Sequence, residues 1–66
     1  MSRNQIRKKI WQRRKKLGLS QDKLSKLANV SYNTIVKIES GENINPTIET
    51  LKKIAKALGV SIKDLF

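Results

Sequence analysis

Apolar residues recur at helical spacing in five stretches of this chain, separated by glycine or polar positions. Ile6 and Ile10 stand at i, i+4 and Leu17 one heptad on, which predicts a first helix from about Asn4 to Lys16. Trp11 lies beside that stripe, and Gly18 is its stop. Ser20 suits the N-cap of a second helix, with Asp22 well placed in its first turn and Leu24, Leu27 and Ala28 as its inward face. Asn29 stands where the chain must turn through a left-handed conformation, which asparagine tolerates best after glycine. Val30 is positioned to plug that turn against the core. Ser31 caps a third helix to about Ser40, with Ile35 and Ile38 inward, Val36 at the edge and Gly41 at its end.

GENINP follows as a loop, closed by Pro46, which keeps Asn45 out of helical geometry. Thr47 or Asn45 caps a fourth helix whose inward set is Ile48, Leu51, Ile54, Ala55 and Leu58, the cleanest amphipathic pattern in the chain. Gly59 ends it. Ser61 and Asp64 have capping-box spacing for a last short helical segment, whose Ile62, Leu65 and Phe66 are expected to fold onto the core or to meet a partner. No internal repeat or low-complexity linker interrupts the pattern. Residues 1–66 therefore read as one all-α domain.

The segment from Leu17 to Gly41, LGLSQDKLSKLANVSYNTIVKIESG, carries the functional signal. Two short helices, each opened by a serine and joined by a tight turn at about 20–40, form the unit that lays its second helix into the DNA major groove. The non-core side of the third helix presents Ser31, Tyr32, Asn33, Thr34 and Lys37, nearly free of acid. A merely solvated helix more often alternates Glu and Lys for i, i+4 pairing. Amide, hydroxyl and amine groups instead suit base edges: Asn33 for adenine N6 and N7, Lys37 for guanine acceptors, Tyr32 for a thymine methyl or a phosphate.

Charge sharpens this reading. Fifteen Lys and Arg stand against five Asp and Glu, a net +10. Eight of the basic residues fall between Arg3 and Lys16. Such asymmetry favours a polyanion, either nucleic acid or an anionic membrane, and charge alone does not separate the two. A rival reading follows, a membrane-active cationic helix using Ile6, Ile10 and Trp11 over a basic face; the later, well-capped helices argue against it. Enzymatic chemistry fits poorly. The chain has no cysteine and no histidine, which excludes disulfides and thiolate zinc sites and leaves five carboxylates as the acid–base groups. No catalytic residue, metal or cofactor is expected, and a chain of 66 residues offers little room for a small-molecule substrate cavity. No apolar run approaches the roughly 20 residues that span a membrane, and the N-terminus lacks the apolar stretch of a secretory signal. A soluble, cytoplasmic protein of prokaryotic or phage type is expected.

Three further residues stand out. Gln21 opens the second helix, where backbone N–H groups favour an anion; its amide either clamps a phosphate or faces solvent. Arg14 lies one turn before Leu17 and Glu39 one residue after Ile38, so an Arg–carboxylate bridge between them would lock the first helix to the third. Arg14 is equally placed to contact phosphate. Asn43, Asn45 and Thr47 could add backbone contacts, whereas Glu42 and Ile44 are poor phosphate ligands.

LGLSQDKL at 17–24, LANVS at 27–31 and TIVKIESG at 34–41, followed by NPTIETLKKIAKALGV at 45–60 and SIKDLF at 61–66, resemble the lambda-repressor-like, Cro/C1-type (Xre) helix-turn-helix family. The resemblance covers Ile6 to Phe66. It implies a five-helix DNA-binding domain, base contacts from Tyr32, Asn33 and Lys37, a phosphate contact at Gln21, and a salt link between Arg14 and Glu39. Four departures matter. Asn29 replaces the usual turn glycine. Ser25 stands on a buried spot where alanine is usual and needs a backbone acceptor one turn earlier. Tyr32 is bulkier than the glutamine or arginine often found there. Glu42 and Ile44 replace basic loop residues.

These features predict a transcriptional regulator, in the first instance a repressor, that binds double-stranded DNA through the helix at about 31–39. One small domain reading four or five base pairs lacks useful specificity, so a homodimer on a palindromic operator is expected, with half-sites about 10 base pairs apart. The dimer surface would involve Ile62, Leu65, Phe66 or the exposed side of the fourth helix. The alternative is an antitoxin-type or other protein-interaction module that also binds its own promoter.

Overall fold

The computed structural model describes residues 2–43 and 45–66. Helix α1 spans Ser2–Lys16, α2 Gln21–Ala28, α3 Tyr32–Ser40 and α4 Ile48–Leu58, and a 3-10 turn covers Ile62–Leu65. The described residues form four α-helices rather than the expected five. The segment after Gly59 is tightened by i to i+3 bonds, Asp64 N–H to the Ser61 carbonyl at 3.0 Å and Phe66 N–H to that of Lys63 at 3.3 Å. The loop residue Ile44 lies outside the described residues.

Hydroxyl caps set the helix starts. Ser20 Oγ accepts from Lys23 N–H at 3.0 Å and Ser31 Oγ from Thr34 N–H at 3.1 Å. Thr47, not Asn45, caps α4, its Oγ1 accepting from Thr50 N–H at 3.1 Å. The Asn45 N–H is taken instead by Asn43 Oδ1 at 3.1 Å. In the terminal turn both the N–H and the hydroxyl of Ser61 donate to Asp64 Oδ2 at 3.0 Å. Those bonds favour the ionised carboxylate and hold Asp64 below its ordinary pKa.

Asn29 closes α2 at φ 58°, ψ 45°, the left-handed conformation its position predicts. A Cβ-bearing residue without a short polar side chain is strained there by about 1–2 kcal/mol. Asn29→Ala should therefore cost about 1 kcal/mol and lower Tm by roughly 4–8 °C, with Asn29→Gly close to neutral. Thermal melts of the two variants check this, and equal melting for both would remove the conformational argument. Ser25 meets its requirement: its hydroxyl donates to the Asp22 carbonyl at 2.7 Å, so a buried polar atom is satisfied within α2.

The core gathers Ile10, Leu24, Ile35, Ile38, Leu51, Ile54 and Leu65, with Val30 and Ile62 packed at its margin. α2 lies against both α3 and α4, α1 runs along α3, and the 3-10 turn closes on α4 and α1. Three expected inward residues are exposed. Leu17 falls just past α1, where the chain turns at Gly18 and Leu19 packs in its place. Leu27 sits on the rim of α2, because Leu24, Ser25 and Ala28 define the buried face of that short helix. Ile48 belongs to the first turn of α4, beyond the end of the stripe formed by Leu51, Ile54, Ala55 and Leu58. At the C-terminus only Leu65 is buried; Phe66 is half exposed.

Candidate nucleic-acid interface

The α2–turn–α3 unit presents α3 with its apolar residues inward and its polar residues outward. Ile35 and Ile38 are buried at i, i+3 and anchor the inner face. On the opposite side Asn33 and Lys37 are exposed and lie one turn apart, where residues four positions apart meet. Val36 is half-buried beside them, and Tyr32 is exposed at the first position of the helix. Among the described residues the side chains of Tyr32, Asn33 and Lys37 make no hydrogen bond within the chain, so their donors and acceptors are free for a ligand. Ser31 and Thr34 differ. Ser31 Oγ accepts from Thr34 N–H, and the two hydroxyls share a hydrogen at 2.7 Å. Part of their capacity goes to capping the helix.

A buried polar network fixes this helix to its supports. Arg14 Nε donates to Glu39 Oε2 at 2.7 Å and Arg14 Nη2 to Glu39 Oε1 at 2.8 Å, a bidentate pair whose side chains are only 9% and 4% exposed. Arg14 Nη1 donates to the Leu19 carbonyl at 2.7 Å. The hydrogen bonds to Glu39 raise the arginine pKa further, so the guanidinium stays charged wherever the fold survives. Gln21 Nε2 adds a third donor to Glu39, reaching Oε1 at 3.1 Å. One carboxylate near the end of α3 thus joins α1 to the first residue of α2. The Gln21 amide is half-buried and spends one of its two N–H donors on Glu39. Its neighbour Asp22 is paired with Lys26 at 3.3 Å, an exposed i, i+4 contact of little energetic weight.

With Asp22 and Glu39 paired and Asp64 held by Ser61, the surplus of cations is left facing solvent. The loop after α3 is tied back by Asn43 N–H on the Lys37 carbonyl at 2.9 Å. No group of His, Cys, Asp and Glu among the described residues could hold a metal, and no described helix is long and apolar enough to cross a membrane. Ile6 and Ile10, which a membrane-inserting first helix would need outside, are buried at 8% and 0% exposure. One feature that periodicity left without a role is Trp11, half exposed beside Arg7 and Lys8 on the α1 edge that borders Glu39.

Comparison with known proteins agrees with this geometry. A family model described as helix-turn-helix matches residues 12–65. An uncharacterized HTH-type transcriptional regulator of Archaeoglobus fulgidus is 38% identical over 61 residues, covering 92% of this chain and 86% of that protein. Another, of Methanocaldococcus jannaschii, is 43% identical over 49 residues, covering 74% and 73%. The HTH-type transcriptional regulator SlrR of Bacillus subtilis is 38% identical over 53 residues, or 80% of this chain but 35% of its own length. The chain thus spans most of the archaeal relatives and about a third of SlrR. Helices, caps, left-handed turn and matched residues converge: the chain belongs to the lambda-repressor-like, Cro/C1-type helix-turn-helix family of DNA-binding transcriptional regulators.

Proposed function

We propose that residues 1–66 act as one sequence-specific DNA-binding unit of a repressor, with α3 in the major groove. The observation that carries this reading is the pairing of free donors and acceptors on Tyr32, Asn33 and Lys37 with a helix held rigidly from behind by Arg14, Glu39 and Gln21. Base-edge contacts need such fixed geometry, since direct readout depends on hydrogen bonds placed to a few tenths of an ångström. In this reading Asn33 pairs with adenine N6 and N7, Lys37 meets guanine acceptors, and Tyr32 contacts a thymine methyl or a phosphate. Ser31 and Thr34 hold the start of α3 and lie close to the backbone. The free N–H groups at the start of α2, with the one Gln21 amide N–H that Glu39 leaves unused, receive a phosphate. The protein works in the cytoplasm as a homodimer on a palindromic operator, its half-sites about 10 base pairs apart.

Selection of bound sites from a random duplex library at about 150 mM salt, followed by sequencing, tests this. Recovery of an inverted repeat is the expected result. Binding that enriches no motif and simply fades as salt rises would overturn sequence-specific recognition, leaving only the charge-driven component.

A further inference from the structure

The α1 edge that borders α3 presents a second set of groups suited to DNA. Lys8, Trp11 and Lys15 fall at i, i+3 and i+7 and share one exposed side of α1. Arg7, one turn before Trp11, reaches to the end of α3: its Nη1 lies 3.5 Å from the Ser40 carbonyl and over Gly41, where an added Cβ would come within 2.7 Å of it. Arg7, Lys8, Trp11 and Glu39 line a single open groove. Glu39 is also the residue bonded by Gln21, so the row from Lys8 through Trp11 to Gln21 is continuous with the proposed interface.

The chemistry of this edge is one-sided. Lysine, arginine and the indole N–H are donors without an acceptor. The one carboxylate in the groove already receives Arg14 at both oxygens and Gln21 at one. Trp11 keeps 47% of its surface exposed and rimmed by cations, with its N–H unpaired among the described residues, an amphipathic arrangement that suits a wet interface. Its complement is an array of anionic acceptors. We propose that the Arg7–Trp11 edge of α1 grips the phosphate backbone of the same duplex that α3 reads, with Trp11 Nε1–H donating to one phosphate and Lys8 and Lys15 neutralising its neighbours. Arg7 positions this edge against α3. The inference rests on the DNA-binding reading above and extends the footprint past the helix-turn-helix.

Trp11 is the sole tryptophan, so its emission reports this edge alone, and phosphate contacts need no cognate sequence. The probe is a mixed-sequence duplex of about 20 base pairs at low salt, where phosphate contacts dominate. Anisotropy of a labelled duplex reports binding; acrylamide quenching of Trp11, with unlabelled duplex, reports its cover. At saturation the quenching constant should fall about twofold or more, as expected for a side chain placed against the backbone. Lys8→Ala with Lys15→Ala should flatten the dependence of log K on log salt by about 1–2 with an unchanged melting temperature, both side chains being exposed. Rising anisotropy with unchanged Trp11 quenching and an unchanged salt slope would overturn the inference while leaving DNA binding intact. A Trp11 response to phosphatidylglycerol vesicles but not to DNA would overturn it in favour of a lipid surface. No anisotropy change with any duplex would overturn the DNA reading and this inference with it.

Discussion

Arg14→Ala is expected to destabilise the fold by about 3–5 kcal/mol, the cost of removing one partner from a buried, hydrogen-bonded ion pair. A domain of this size has roughly 3–10 kcal/mol in total, so a third or more of its stability is at stake. The reason lies in Glu39. Its carboxylate is 4% exposed and loses two of its three donors, keeping only the Gln21 amide at 3.1 Å. The Leu19 carbonyl loses its arginine donor in the same step. Urea titration followed by circular dichroism measures the change. The paired variant Arg14→Met with Glu39→Met should recover most of it, since an apolar pair of similar volume leaves no buried charge unmatched. If Arg14→Ala melts within about 3 °C of the parent yet loses DNA affinity, the arginine serves phosphate rather than the fold.

The second large effect concerns recognition. Asn33→Ala should cost about 1–3 kcal/mol on the selected operator, roughly a five- to 150-fold loss. Affinity for unrelated duplex should hardly move, because a base contact is removed and no phosphate contact is. Asn33 is exposed and outside the core, so the variant should melt like the parent. Competition binding with operator and scrambled duplex gives the specific-to-nonspecific ratio directly. An unchanged ratio would take Asn33 off the reading face and leave recognition to Tyr32 and Lys37. A uniform weakening across all sequences would reassign it to the backbone, the behaviour of a phosphate-contacting lysine.

Local chemistry accounts for most of the architecture. Ser20, Ser31 and Thr47 each offer a hydroxyl where a helix must begin, and Gly18, Asn29, Gly41 and Gly59 each take the positive φ where one must end or turn. Those signals depend on neighbours within four residues, so they are legible without knowledge of the fold. The buried faces of α3 and α4 were readable for the same reason: a helix long enough to show its period reveals which side goes inward. The outward set on α3 follows from that face, since residues placed opposite Ile35 and Ile38 have nowhere else to point.

Other positions depended on the assembled helices. Leu27 and Leu17 satisfy helical spacing, yet α2 is buried through Leu24, Ser25 and Ala28, and the chain at Gly18 brings Leu19 inward instead. Spacing gives a direction on one helix; only the neighbour's distance tells whether anything is there to pack against. Ile48 is exposed because the core ends before the first turn of α4, and the final segment is a 3-10 turn because its backbone bonds run i to i+3. Gln21 reaches Glu39, eighteen residues away, a bond no local pattern could have revealed. Trp11 looked like an edge residue of a core stripe until α3 placed Glu39 and Gly41 beside its neighbours. The amino-acid sequence by itself determined the helices, their caps and the polar face of α3, because those follow from short-range hydrogen bonding and periodicity. Only the tertiary structure decided which apolar residues are buried, what Gln21 holds, and which edge of α1 adjoins α3, because each depends on how separate helices meet in space.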